Sequence, residues 1–384
     1  MRIFCLILAL AFLTGCAPSQ PAALSEVAAV PETTETATEP PTTVPPTTEP
    51  PDPVLELLET LSVEEKVGQL FLARYPANTA LQDLNTYHLG GFILFAEDFE
   101  GQTPESLRQM LDDCQNNSAV PMLMAVDEEG GSVCRVSQFP AFRSAPFPSP
   151  RQLYGQGGME LVLGTEAEKA FLLNTLGINV NMAPVCDIAT DPGTFMYSRS
   201  LGASAETTAE FAIGAMELMK TFQVGAVLKH FPGYGSNVDT HSGIAIDRRT
   251  LSELENNDLI PFAAAIQAGC DAIMVSHIVV TSMDSELPAS LSPAVHSYLR
   301  SILGFTGVIV TDDLVMDAIR ADYGIGEAAV LAILAGNDLL CSTEYPAQYA
   351  AVLEAVESGR IPKAQLDRSV ERILRWKQSL NVLT

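Results

Sequence analysis

Eight short apolar runs recur along the chain at residues 68–72, 91–95, 121–127, 179–185, 224–228, 271–277, 307–312 and 336–341. Runs of this length are too short for buried helices. The segments between them carry apolar residues at helical spacing, the pattern of strands buried on both faces of a parallel sheet and joined by crossover helices. Eight such units predict a closed (β/α)8 TIM barrel in the α/β class. An open doubly wound sheet is the competing arrangement, and no GxGxxG follows the first run to favour it.

The barrel occupies only part of the 384 residues. Met1-Arg2 followed by the apolar stretch 3–13 falls well below the ~20 residues of a membrane span and matches a secretory signal instead. Its end, Leu13-Thr14-Gly15-Cys16, resembles the bacterial lipoprotein signal, which implies acylation of Cys16. Residues 17–53 are rich in Pro, Thr and Glu with no Lys, Arg or aromatic side chain, so they bury too little surface to fold. At ~3.1 Å per residue they form a spacer reaching up to roughly 100 Å. The expected organisation is therefore a signal with lipidated Cys16 over 1–16, a disordered linker over 17–53 and one catalytic domain over 54–384. The domain would lie outside the cytoplasm, held to the bacterial cell membrane by lipid alone.

A formal charge of −26 would repel a phosphate backbone, and no Lys/Arg stripe offsets it, so nucleic acid is excluded as a partner. Cys114, Cys134, Cys186, Cys270 and Cys341 show no CxxC spacing, and several adjoin strand residues. Buried free thiols fit them better than disulfides or zinc. No metal or cofactor is expected, and a monomer is.

Polar residues gather at the C-terminal ends of the runs: Asp127, Asp187, Lys229-His230, Ser276-His277 and Thr311-Asp312-Asp313. In a barrel these ends converge on one mouth, where active sites are built. Charges placed after buried strands are costly unless paired or used. After the fifth run the chain continues Lys229-His230-Phe231-Pro232-Gly233-Tyr234-Gly235 and then Asp239-Thr240-His241. A carboxylate two residues before an imidazole can fix the tautomer of the ring and raise the basicity of its free nitrogen, which makes the pair a proton-transfer device.

These pieces, with Leu89-Gly90-Gly91-Phe92-Ile93-Leu94-Phe95, Asp127-Glu128-Glu129-Gly130-Gly131-Ser132-Val133-Cys134-Arg135, Leu176 through Asp187, and Arg199-Ser200-Leu201-Gly202, resemble glycoside hydrolase family 3 in its single-domain bacterial β-N-acetylglucosaminidase branch. The resemblance spans nearly all of residues 54–384. It implies a retaining glycosidase with Asp312 as nucleophile, His241 as general acid/base and Asp239 orienting His241. It also implies sugar contacts from Asp127, Arg135, Arg199, Lys229 and His230. Asp313 is expected to be a structural partner, because successive strand residues point to opposite faces. The implied substrate is a carbohydrate, GlcNAc-terminated glycans or muropeptides. The chain departs from the family pattern at Glu128 (commonly Gln), Ser132 (Arg), Tyr234 (His) and Thr240 (Ser). Three readings follow: the N-acetylglucosaminidase, a family 3 β-glucosidase or N-acetylglucosaminide phosphorylase, and a sugar-binding lipoprotein without turnover.

Overall fold

The structure, a computed structural model, describes residues 52–235, 237, 245–316, 319 and 322–383. Residues 1–51, with Cys16 and most of the proposed linker, lie outside them. Eight parallel strands form one sheet: β1 Phe71–Arg74, β2 Gly91–Leu94, β3 Leu123–Val126, β4 Val180–Asn181, β5 Gly225–Phe231, β6 Ala272–Val275, β7 Val308–Thr311 and β8 Leu340–Ser342. Each pairs with the next, β1 also pairs with β8 (Phe71 beside Leu340), and a bridge between Val310 and Leu339 closes the ring. The expected (β/α)8 barrel is therefore the fold observed.

Every apolar run holds all or part of a strand, and three strands outrun it: β1 continues to Arg74, β5 to Phe231 and β8 to Ser342. Gly68 and Gln69, at the start of the first run, finish the helix Val63–Gln69, whose Ser62 capping box sets its start. β4 has only two ladder residues, and the chain beyond it keeps parallel contact with β5 through Val185 and Lys229. Nearly all strand side chains are buried, in keeping with a sheet covered on the outside by helices and filled within by its own residues. At about 1.5–3 kcal/mol for each fully buried large aliphatic, this core supplies the main driving force for folding.

Two helices flank the barrel at its two ends. Pro150–Thr175 starts at a Ser149 cap, bends at Gly157 and Gly158, and lies behind the segment that follows β3. Lys363–Ser379 buries Leu366, Val370, Ile373, Leu374 and Trp376 against the barrel. Gly225 opens β5 because a Cβ there would stand 2.8 Å from the Trp376 ring. The five cysteines of the barrel are buried free thiols.

Candidate active site

A cavity of about 610 Å³ opens at the C-terminal ends of the strands, lined by Asp127, Arg135, Arg199, Lys229, His230 and Asp312 among others. These are six of the residues singled out in the sequence, delivered by four different parts of the chain. Asp239 and His241 lie outside the described residues. What is described of their loop is its stem. Gly233 (φ 120°) passes Asp258 so closely that a Cβ would meet it at 2.5 Å, and Arg249 joins Asp258, Asp247 and the Gly233 carbonyl.

Lys229 and His230 are neighbours on β5, yet both line the cavity. Regular alternation would send one of them outward. The pairing of β5 with β6 shifts between Leu228 and Phe231, and this irregularity turns consecutive side chains toward the mouth. Lys229 Nζ lies 2.6 Å from Asp127 Oδ1 and 2.6 Å from Glu129 Oε1. Glu129 in turn receives Arg199 through a fork, Nη2 to Oε1 at 2.7 Å and Nε to Oε2 at 2.9 Å. Burial pushes the Glu129 carboxyl up, but Lys229 and Arg199 outweigh it and hold the group well below the usual carboxylate range. The same pairing raises Lys229 and Arg199 against their own desolvation, so both remain charged.

Arg199 Nη2 also meets His230 Nε2 at 3.3 Å. A guanidinium can only donate, so Nε2 accepts and Nδ1 carries the ring proton, which it gives to Asp187 Oδ2 at 2.7 Å. The other Asp187 oxygen accepts Tyr234 N at 2.7 Å, tying the start of the loop to the same carboxylate. Tyr234, where the family pattern has His, is buried and its ring packs on Phe195 and His230. Arg135 has no ion pair among the described residues, its Nε has no acceptor, and its guanidinium lies 5.7 Å from the Phe95 ring centroid. Its donors are thus available to a ligand. Ser132 is exposed at the rim.

Asp312 follows β7 and accepts Asp313 N at 2.9 Å. Burial would raise its carboxyl, but His277, His230, that N–H and Lys229 together hold it below the ordinary aspartate value. The expectation for Asp313 needs correcting in its reasoning. β7 ends at Thr311, so strand alternation no longer governs the pair, and both aspartates border the cavity. Asp313 is nonetheless spent on structure, accepting Thr343 Oγ1 at 2.6 Å and Val315 N at 3.1 Å.

Glu129 is not singled out by the sequence pattern, and Asp187 and His277 are legible there only as strand-end residues at the mouth without a role. His277, fully buried, donates through Nε2 to the Asp313 carbonyl at 3.0 Å and shares a hydrogen bond with the Ser290 hydroxyl at Nδ1, which sets the backbone beside Asp312. Glu128, the immediate neighbour of Glu129, turns away and accepts the backbone amides of Arg135, Val136 and Ser137. Among the described residues no three His, Cys, Asp or Glu side chains converge as metal ligands would.

Comparison with known proteins places the chain among glycosidases of known fold. The glycosyl hydrolase family 3 N terminal domain matches residues 62–376. The β-hexosaminidase LpqI of Mycobacterium tuberculosis is 30% identical over 333 residues, 83% of each chain, and its solved structure superimposes with a TM-score of 0.77 over 84% of this chain and 96% of that one. A family 3 β-N-acetylglucosaminidase from Paenibacillus sp. FPU-7 is 36% identical with a TM-score of 0.79, covering 84% of this chain and 63% of the longer Paenibacillus chain.

Proposed function

Because the chain belongs to glycosyl hydrolase family 3, we propose that it is a retaining exo-β-N-acetylglucosaminidase that releases terminal β-linked GlcNAc from glycans or muropeptides. It is a glycoside hydrolase of the β-N-acetylhexosaminidase type, and its substrate is a carbohydrate.

In this reading the sugar enters the cavity with its hydroxyls on Asp127, Lys229, His230 and Arg199 and with Arg135 as a further donor. A carboxylate beside several multi-donor cations suits a polyhydroxylated ring. An Asp312 oxygen bonds to the anomeric carbon as the bond to the leaving oxygen breaks, and His241, oriented by Asp239, gives that oxygen its proton. Water then attacks the same carbon, its proton passes to His241, and the ester to Asp312 breaks. Cys16 carries the lipid and residues 17–53 hold the enzyme away from the membrane.

The observation that carries this reading is the state of Asp312. It is ionised, it borders a cavity lined by hydrogen-bonding and charged groups, and among the described residues no Lys or Arg side chain is bonded to it. Two displacements at one carbon preserve its configuration. Proton NMR during hydrolysis of a β-N-acetylglucosaminide should therefore show the β-anomer forming first. An α-anomer as first product would overturn the role given to Asp312.

A further inference from the structure

Behind the segment after β3 lies an ion pair that no sugar can touch. Lys169 Nζ is 2.6 Å from Glu166 Oε1, and both side chains are 1% exposed. No donor is aligned on either Glu166 oxygen, so the contact is one of charge on charge. An ion pair taken so far from water is rarely kept for stability alone, since desolvation offsets most of its attraction. Lys169 has a second contact, and it leads to the site. Nζ donates to the backbone carbonyl of Glu129 at 2.7 Å.

That carbonyl is available for a local reason. Residues Glu128–Gly130 form a short antiparallel ribbon with Val133–Cys134, and the ladder shifts between Glu128 and Gly130, leaving Glu129 outside the paired register. Gly130 (φ 103°) must pass Pro148 O, where a Cβ would stand at 2.4 Å, so the turn itself tolerates little adjustment. The Glu129 side chain leaves this point to grip both Lys229 and Arg199. Displacing its backbone by a few tenths of an ångström would loosen both cations together.

We infer that Lys169, steadied by Glu166, is a positioning residue for sugar binding: by fixing the Glu129 carbonyl it sets where Lys229 and Arg199 present their donors. The pair touches neither substrate nor reacting atoms, and it acts through Glu129. The inference rests on the hexosaminidase reading. Its effect belongs in ground-state affinity, because the contacts it sets are those made to the sugar before and during reaction alike.

The test is the double variant Glu166→Leu/Lys169→Met, which removes both charges at once, so that no unpaired charge is buried and only the Glu129 carbonyl loses its donor. With an aryl β-N-acetylglucosaminide, KM should rise about tenfold while kcat stays within about threefold of wild type, the signature of lost uniform binding. The melting temperature should stay within a few degrees. The single variant Glu166→Gln, which keeps the Lys169 donor, should raise KM by no more than about threefold. A double variant with wild-type KM overturns the inference, as does one whose loss falls wholly on kcat. Should the double variant fail to fold, Lys169→Arg decides: its longer head displaces the carbonyl contact, and an unchanged KM overturns the inference. Turnover by the unaltered enzyme checks the hexosaminidase reading by itself, since the pair is judged only on the ratio of variant to wild-type KM.

Discussion

Two aspartates at opposite ends of the barrel show what separates a structural carboxylate from a reactive one. Asp338, before β8, is fully buried and accepts Ile309 N, Ser369 Oγ, Arg372 Nη1 and Arg300 Nη2. Its lone pairs are all occupied. Asp312, after β7, accepts one backbone N–H and faces a cavity. The protein surrounds it with the fields of His277, His230 and Lys229, which keep it ionised without filling its oxygens. A carboxylate in that state has electron pairs left for carbon, whereas Asp338 has none.

The comparison is tested most severely by removing each charge in turn. Asp312→Asn should lower kcat by about 10³-fold, roughly 4 kcal/mol of barrier, with an unchanged melting temperature. Asp338→Asn should leave the activity of the folded fraction intact and cost about 2–4 kcal/mol of stability, measured by urea unfolding. That is somewhat below the usual loss for a broken buried pair, because Arg372 is 31% exposed and partly screened by solvent. If Asp338→Asn silences the folded enzyme, or Asp312→Asn chiefly unfolds it, the distinction fails.

Glu129 sharpens the comparison, since it is saturated like Asp338 but sits at the mouth like Asp312. Its carboxylate neutralises Lys229 and Arg199, and Gln would keep the shape while freeing excess positive charge. Glu129→Gln should lower kcat/KM for an aryl N-acetylglucosaminide by about 100-fold, near 2.7 kcal/mol, mostly through KM. Loss on kcat alone would place Glu129 in the chemistry instead of in binding.

The same contrast explains what was legible beforehand. The eight strands and the polar groups near their C-terminal ends follow from local pattern, because strands buried on both faces must be largely apolar and charges gather in or just beyond their last residues, as Lys229 and His230 do in β5. Asp127, Lys229, His230 and Asp312 are recoverable that way, Arg135 and Arg199 follow only from the family resemblance, and all six meet at one cavity. Glu129 was hidden by Glu128 beside it. Which of two adjacent acids faces the mouth depends on a register shift that no periodicity reveals. The available signal was the pair of glycines after them, since Gly130 and Gly131 both take positive φ and mark a turn instead of a continuing strand. Strand alternation does not decide Asp313, because β7 stops two residues earlier. Asp187 and His277 were visible as strand-end residues, but their work is on His230 and on the Asp313 backbone, contacts between segments far apart in sequence.

The base of the barrel also holds the cationic counterpart of Asp312, a buried charge-bearing group that its surroundings do not saturate. Lys377 is fully buried, and its Nζ donates to Gln69 Oε1 at 2.7 Å with no carboxylate paired to it among the described residues. Burial lowers its pKa from 10.5 to about 7. Between those two values the unfolded chain holds a proton that the folded protein has given up, so stability rises with pH across that window, by up to ~1.4 kcal/mol per pH unit. Below about pH 7 the proton is bound in both states and the full cost of the buried charge is felt. Lys377→Met removes that cost but leaves Gln69 Oε1 without a donor, a loss of ~1–3 kcal/mol. The variant should therefore be more stable than wild type by about 2 kcal/mol at pH 6, with the advantage shrinking and then reversing toward pH 9–10, as read by urea unfolding across that range. A stability difference that stays constant with pH would mean that Lys377 does not change its protonation on folding, and that the base of the barrel tolerates its charge as readily as the mouth tolerates that of Asp312.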